Sequence, residues 1–254
     1  MTTLLKLKGV TLPGTGYPNV NDFLVPDFPH DTGLVGLYTF GSQIGMSMVN
    51  HANAALPPIP YGTISAGVDG VVVSKAGYID TQLAQDDEYT VIALCLPILA
   101  SSYVDGQLLF NNFKNGDAIL GESVVLCGHK TTGLPSFGTF LNTNPATTDK
   151  LMPLPAGMST SRHAGFGVRV NLDGSTKCFV RDQGVVSTGK SDALARQALS
   201  TRSMLIGPGY ANSSSWNGNL TVKLLAVWST PLTDQQITEN LSYLAALYPG
   251  LVQA

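Results

Sequence analysis

The sequence predicts an all-β fold, a two-sheet antiparallel sandwich carrying one C-terminal helix, and three observations point to it. Nearly every residue of Leu220–Trp228 is apolar or β-branched, the pattern of a strand buried on both faces in the middle of a sheet. Short β-branched runs recur along the chain between turn signals such as Asp105-Gly106, Asn115-Gly116 and Asp173-Gly174. The one long helical stripe comes last: Ile237, Leu241, Leu244, Ala245 and Tyr248 recur at helical spacing, and Pro249-Gly250 stops them. Ahead of that stripe Pro231 blocks further strand pairing, and Thr233 stands three residues before Gln236, the spacing of a capping box. The helix therefore begins near Asp234 and packs back on the sheet.

Taken in order, residues 1–32 read as an extended arm, because Pro13, Pro18, Pro26 and Pro29 interrupt every periodic pattern and Gly14 and Gly16 loosen the backbone. Such a segment has no core of its own and borrows one, either its own domain's, as a strap, or that of a neighbouring subunit. Residues 33–254 form one domain. Its strands are expected at 33–40, 68–73, 89–96, 108–110, 123–127 and 137–141, with a loop or an edge strand around Pro57, Pro58 and Pro60. Residues 142–162 lack any period and read as a long loop. A hairpin over 165–170 and 176–181 turns at Asp173-Gly174, a short helix-like piece follows at 192–199, and 210–219 is a polar loop bearing an aromatic pair.

The protein has 254 residues, 44% hydrophobic but only 12% charged, with a formal net charge of −3. That charged share is about half the usual one, so the surface must rely on Ser, Thr, Asn and Gly. With 14 scattered Lys and Arg there is no cluster to neutralise phosphates, which argues against nucleic acid as a partner, and the apolar content argues against disorder. No apolar run approaches the length of a membrane span, and no secretory signal is visible. Cys95, Cys127 and Cys178 each sit among apolar strand residues and read as buried free thiols, with one bridge plus a leftover as the alternative. Free thiols fit synthesis in a reducing cytoplasm.

Several phrases carry a family resemblance. The closing segment, a Gly-x-Leu strand (Gly218 to Leu220), an apolar run to Trp228, the Pro231-Leu232-Thr233 turn and the helix, resembles that of concanavalin-A-like, laminin-G-like jelly-roll domains. GLVGLYTFG at 33–41 is similar to the family's opening strand and GYIDTQLAQDDEYTVIALCLP at 77–97 to its next phrase. GFGVRVNLDGSTKCFVRD at 165–182 is similar to its mid-domain hairpin, and SMLIGPGY at 203–210 to the strand before the closing segment. The family's usual Trp-x-His-Val-Ala strand has no counterpart. The resemblance implies a jelly roll of lectin-like type. Together with low charge, free thiols without a secretion signal and a Pro/Gly arm, it suits a component of a bacteriophage particle or similar assembly, made in the cytoplasm and working outside it.

A survey for chemistry supports binding over catalysis. The three Glu (Glu88, Glu122, Glu239) lie far apart, whereas glycosidases of this fold set two carboxylates on alternate residues of one strand, one to protonate the leaving oxygen and one to attack or activate water. A glycoside hydrolase or lyase of the same fold is the alternative reading. His30, His51, His129 and His163 make no metal-ligand spacing, and the consecutive Asp86, Asp87 and Glu88 read as a polar turn rather than a cation site. The GMSTS phrase at 157–161 lacks the second Gly of a nucleophile elbow, and no phosphate-binding Gly loop occurs. Expected are no catalytic residue, no metal and no cofactor. Recognition remains: Tyr210, Asn212, Trp216 and Asn217 are the candidate ligand-binding residues, since sugar C–H faces stack on rings while hydroxyls bond amides. The competing reading makes Trp216 a hydrophobic plug on the rim of the sandwich. Expected partners are further copies of the protein or neighbouring virion subunits, and a cell-surface glycan.

Overall fold

A computed structural model describes residues 24–143, 146–197, 201–210 and 214–252. In sequence order the first strands are β1 (Leu34–Thr39), β2 (Ile59–Gly62), β3 (Ser65–Gly67), β4 (Gly70–Val73) and β5 (Gly77–Asp80). Next come β6 (Tyr89–Cys95), β7 (Gln107–Asn111), β8 (Ser123–Gly128), β9 (Pro135–Asn142) and β10 (Thr147–Pro153). The last are β11 (Ala164–Val170), β12 (Thr176–Asp182), β13 (Val185–Ser191), β14 (Leu205–Ile206) and β15 (Leu220–Trp228). One turn of helix, α1 (Ile44–Ser47), follows β1, and the 14-residue α2 (Asp234–Leu247) follows β15.

These strands form two antiparallel sheets. The first runs β13-β12-β11-β6-β15-β4-β3, with β1 also paired to β15; the second runs β10-β9-β8-β7-β14-β5-β2. The fold is the two-sheet antiparallel jelly-roll sandwich with a C-terminal helix that the sequence predicts. β15 is interior, with β6 along one side and β4 then β1 along the other. That position explains its unbroken apolar run: Leu225 and Val227 face the core between the sheets, while Leu224, Ala226 and Trp228 face α2.

Helix α2 begins where the capping box predicts. The Gln236 amide donates to Thr233 Oγ1 at 3.3 Å and the Thr233 amide to Gln236 Oε1 at 2.8 Å. Ile237, Leu241 and Leu244 bury against the outer face of the first sheet. They approach closely because the facing positions on β11 are Gly165 and Gly167: a Cβ there would lie 2.9 Å from Leu241 Cδ2 and from Ile237 Cγ2 respectively. Residues 24–32, the end of the expected 1–32 arm, cross this helix as a strap, and the rest of that arm lies outside the described residues. The Phe28 ring stands edge-on to Trp228 at 5.2 Å, Trp228 Nε1 donates to the His30 carbonyl at 3.1 Å, and Tyr248 Oη donates to the Leu24 carbonyl at 3.1 Å.

Two expectations differ from what is seen, and the strand β13 is additional. The stretch expected as a loop at 142–162 contains β10, which pairs with β9 from Thr147 opposite Asn142 to Pro153 opposite Ser136. As an edge strand with one inward anchor near its end, Met152, it carries no hydrophobic alternation to read. A further strand, β13, follows β12 through a two-residue turn in which Gln183 and Gly184 both have positive φ (47° and 76°), the geometry of a type I′ hairpin. Residues 192–197 carry no regular secondary structure where a helix is expected. Tertiary bonds hold them so: the Leu194 amide donates to the Asp173 carbonyl at 2.9 Å and the Gln197 amide to the Asn142 carbonyl at 2.9 Å.

Cys95, Cys127 and Cys178 are free and buried, and burial pushes the Cys127 and Cys178 thiols up to about 12. His163, 1% exposed, sets Nε2 2.8 Å from the Asp69 carbonyl, and burial holds its pKa below the ordinary histidine value. A histidine kept neutral in the fold protonates first in the unfolded state. Stability is therefore present in full above about pH 6.5 and declines as pH falls below it. Asp234 adds a lower window: its bond to Lys177 and the charge of Arg169, 2.9 Å away, depress its carboxyl, so its contribution is present above about pH 4 and lost on further acidification. Urea midpoints against pH should fall in both windows; His163→Gln should reduce the upper slope and leave the lower one unchanged, the remainder of the upper slope coming from His51, which burial also holds low. An unchanged upper slope would show that another group sets it.

Candidate functional site

Residues 207–219 connect β14 in the second sheet to β15 in the first, and Trp216 near the end of this connection rests on the outer face of the second sheet. Its backbone lies in the left-handed region, φ +65°, which costs a non-glycine residue about 1–3 kcal/mol unless its surroundings enforce it. They do. The Asn217 amide donates to the Val104 carbonyl at 2.8 Å, the Gly218 amide to the Gly106 carbonyl at 3.2 Å, and Gln107 Nε2 to the Gly218 carbonyl at 2.6 Å. The Trp216 indole packs on Leu108, Val125 and Cys127, which point outward from β7 and β8, and the residue is 6% exposed.

Beside it opens a groove of about 370 Å³. Its aromatic wall is Trp216 with Phe140, edge-on at 5.8 Å, Tyr103 at 6.4 Å, and Phe113. Asn115, Lys130, Asp149 and Ser215 add polar groups to the lining. Strand register places Ser123, Phe140 and Asp149 in one row across β8, β9 and β10, a ring flanked by a hydroxyl and a carboxylate. Ser123 Oγ is buried and without a hydrogen-bond partner among the described residues.

Of the residues singled out from the sequence, Trp216 lines this groove. It does so as the plug the competing reading describes, with only a small part of its surface open to the cavity. Asn217 fixes the loop: its Oδ1 accepts from Lys75 Nζ at 2.8 Å and its Nδ2 donates to the Ser214 carbonyl at 2.8 Å. Tyr210 stands apart from the lining, its ring 5.9 Å from the Arg202 guanidinium and its hydroxyl 3.2 Å from Ser203 Oγ. Asn212 lies outside the described residues. Tyr103, Phe113, Phe140 and Asp149 come from other loops and strands, and the sequence marks only Tyr103 and Phe113, as aromatics beside Asp-Gly and Asn-Gly turns.

Glu122, the carboxylate most relevant to a hydrolase reading, is elsewhere. It is wholly buried in a bidentate pair with Arg196, Nε to Oε1 and Nη2 to Oε2 both at 2.9 Å, and Gln85 Nε2 donates to Oε2 at 2.6 Å. Burial pushes its carboxyl up, against the pull of Arg196. Among the described residues the groove has one carboxylate, Asp149, where glycoside hydrolysis needs two. No group of three or more His, Cys, Asp or Glu among the described residues is placed to hold a metal ion.

No protein-family model matches this sequence, and no curated protein matches it either. Solved structures do match in fold. The crystal structure of HCR/D-Sa-GBL1/C superposes with a TM-score of 0.60 at 10% identity, covering 86% of this protein and 53% of the other. Domain 4 of AbnA, a GH43 extracellular arabinanase from Geobacillus stearothermophilus, in complex with arabinotriose, gives 0.55 at 14% identity, covering 82% and 98%. The binding domain of botulinum neurotoxin DC in complex with SialylT gives 0.55 at 9% identity, covering 86% and 52%. The protein thus spans about half the length of the first and third, and nearly all of the arabinanase domain. At these identities the likeness is one of fold, the jelly-roll sandwich already described.

Proposed function

We propose that this protein is a non-enzymatic, lectin-like module that holds a neutral glycan in the groove beside Trp216. We further assign it to a multi-subunit surface assembly such as a phage tail or capsid, where it acts as a structural or receptor-binding part. The observation that carries the first reading is the groove itself, four aromatic rings and a few polar groups over a rigid sheet. Rings receive the apolar face of a sugar, and hydroxyls and amides take its hydroxyl groups. The pinned Trp216 adds preorganisation, since a loop ordered beforehand subtracts nothing from affinity. The fold neighbours support the reading, one being a binding domain and another carrying a bound oligosaccharide. The assembly setting rests on low charge, free thiols and the Pro-rich segment before Leu24.

A shallow sugar site binds weakly, on the order of millimolar per copy, and gains from several copies presented together. A glycan array followed by titration tests it. Tyr103, 41% exposed, is the cleanest probe: Tyr103→Ala should weaken binding by about tenfold or more while the unfolding free energy moves by less than about 0.5 kcal/mol. No binding by the intact protein, or a sugar seated away from the groove, ends the reading. Turnover of a bound glycan would place the protein among the hydrolases instead. A native mass equal to a single 26.7 kDa polypeptide would remove the assembly role.

A further inference from the structure

Two Asn-Gly steps border the groove, Asn115-Gly116 on its rim and Asn217-Gly218 directly after Trp216. They have the same chemistry and opposite environments. At the second step everything is held: the Asn217 side chain is bonded at both ends, and the Gly218 nitrogen donates its proton to the Gly106 carbonyl. At the first step nothing is. Asn115 is exposed, neither its side chain nor the Gly116 amide makes a hydrogen bond among the described residues, and Gly116 has φ +85° with no described residue other than its chain neighbours within 4 Å of where a side chain would stand. Among the described residues the loop is anchored below this tip, where Asp117 meets Lys114 at 3.2 Å and Arg202, and the Lys114 amide donates to the Leu120 carbonyl at 2.7 Å.

We propose that Asn115 is a site of spontaneous deamidation, and that the reaction turns a neutral part of the groove rim acidic. The backbone nitrogen of Gly116 attacks the carboxamide carbon of Asn115, which it can reach because glycine has no side chain in the way. A new C–N bond forms to that carbon, the bond from it to the original amide nitrogen breaks, and that nitrogen departs as ammonia with the proton released by Gly116. Water then opens the five-membered imide at either carbonyl, leaving aspartate or isoaspartate, and no oxidant or reductant takes part. Asparagine is a recognised weak point in this respect, and here packing decides which of two identical steps is exposed to it. The product has lost two N–H donors and gained a charge, and the isoaspartate form lengthens the backbone by one carbon. The effect on ligand rests on the glycan reading above; the chemistry does not.

The test is incubation of the full-length protein at mildly alkaline pH and body temperature, followed by peptide mapping by mass spectrometry. The Asn115 peptide should accumulate the amide-to-acid mass gain while the Asn217 peptide stays unchanged, and Asn115→Gln should remove the signal. An Asn115 that remains an amide, or an Asn217 that converts as fast, overturns the proposal. In a second arm Asn115→Asp is titrated with the glycan that the unmodified protein binds, and affinity should drop roughly two- to tenfold. Equal affinity overturns the claim that the change matters to the groove. Absence of glycan binding by the unmodified protein removes that claim together with the glycan reading, and leaves the mass result to stand by itself.

Discussion

Replacing Arg196 by Ala is expected to lower the unfolding free energy by about 3–5 kcal/mol, the range for removing one partner of a buried ion pair. The reason is the group left behind. Glu122 has no exposed surface and Arg196 only 4% on its side chain, so without the guanidinium a carboxylate stays in the interior, still bonded by the Gln85 amide but with no opposing charge against it. Water reaches it poorly, and the cost is the desolvation of a charge rather than the loss of a contact. The pair also joins three segments: Arg196 bonds the carbonyls of Asp86 and Asp87, Glu122 directly precedes β8, and Asn112 bonds Gln85 and the Glu122 amide. The loss should therefore appear as one cooperative shift in a urea transition.

Two controls separate the mechanism from simple truncation. Arg196→Met paired with Glu122→Leu removes both charges and should be closer to wild type than either single change, because the buried charge is then gone. The double-mutant cycle should show strong non-additivity, as for residues in one network. A loss for Arg196→Ala of less than about 1 kcal/mol would show that solvent enters and screens the carboxylate. None of these changes touches the groove, so glycan binding by the folded fraction should be unaltered.

How far the sequence speaks depends on whether a signal is local. β15 and α2 are legible because every residue of each repeats the same information: a strand buried almost throughout its nine positions, and a helix with cap, stripe and stop. β10 and β13 are edge strands, and an edge needs neither burial nor alternation, so Thr147 and Val185 open strands that look like loop. The piece at 192–197 has helix-forming residues but is not helical, because Arg196 reaches a carboxylate 74 positions away and the ion pair outweighs a propensity of a few tenths of a kcal/mol per residue. The site divides the same way. Trp216 is visible as an aromatic in a polar loop, whereas Phe140 and Asp149 are ordinary strand residues until the register of β8, β9 and β10 sets them side by side.

The second large effect is expected at Leu241. Leu241→Ala should cost about 2–5 kcal/mol, the range for emptying a well-packed core site. Leu241 is 1% exposed, and its two methyl groups sit over the two glycines of β11, Cδ2 at 2.9 Å from the position of a Gly165 Cβ and Cδ1 at 3.6 Å from that of Gly167. On the β11 side nothing can fill the space, because Gly165 and Gly167 have no side chains to move. The same geometry makes the converse change testable. Gly165→Ala alone inserts a methyl group against Leu241 Cδ2 and should destabilise by about 1–3 kcal/mol, towards the lower end because the end of a leucine can shift. Combined with Leu241→Ala, the new methyl group occupies part of the vacated volume, so the double variant should be more stable than the sum of the single losses predicts. Urea unfolding followed by tryptophan fluorescence measures all three, since Trp228 lies in the same apolar layer as Leu241. Strict additivity would mean that the helix and β11 do not meet at these atoms, and an unchanged midpoint for Leu241→Ala would mean that α2 is not part of the cooperative core.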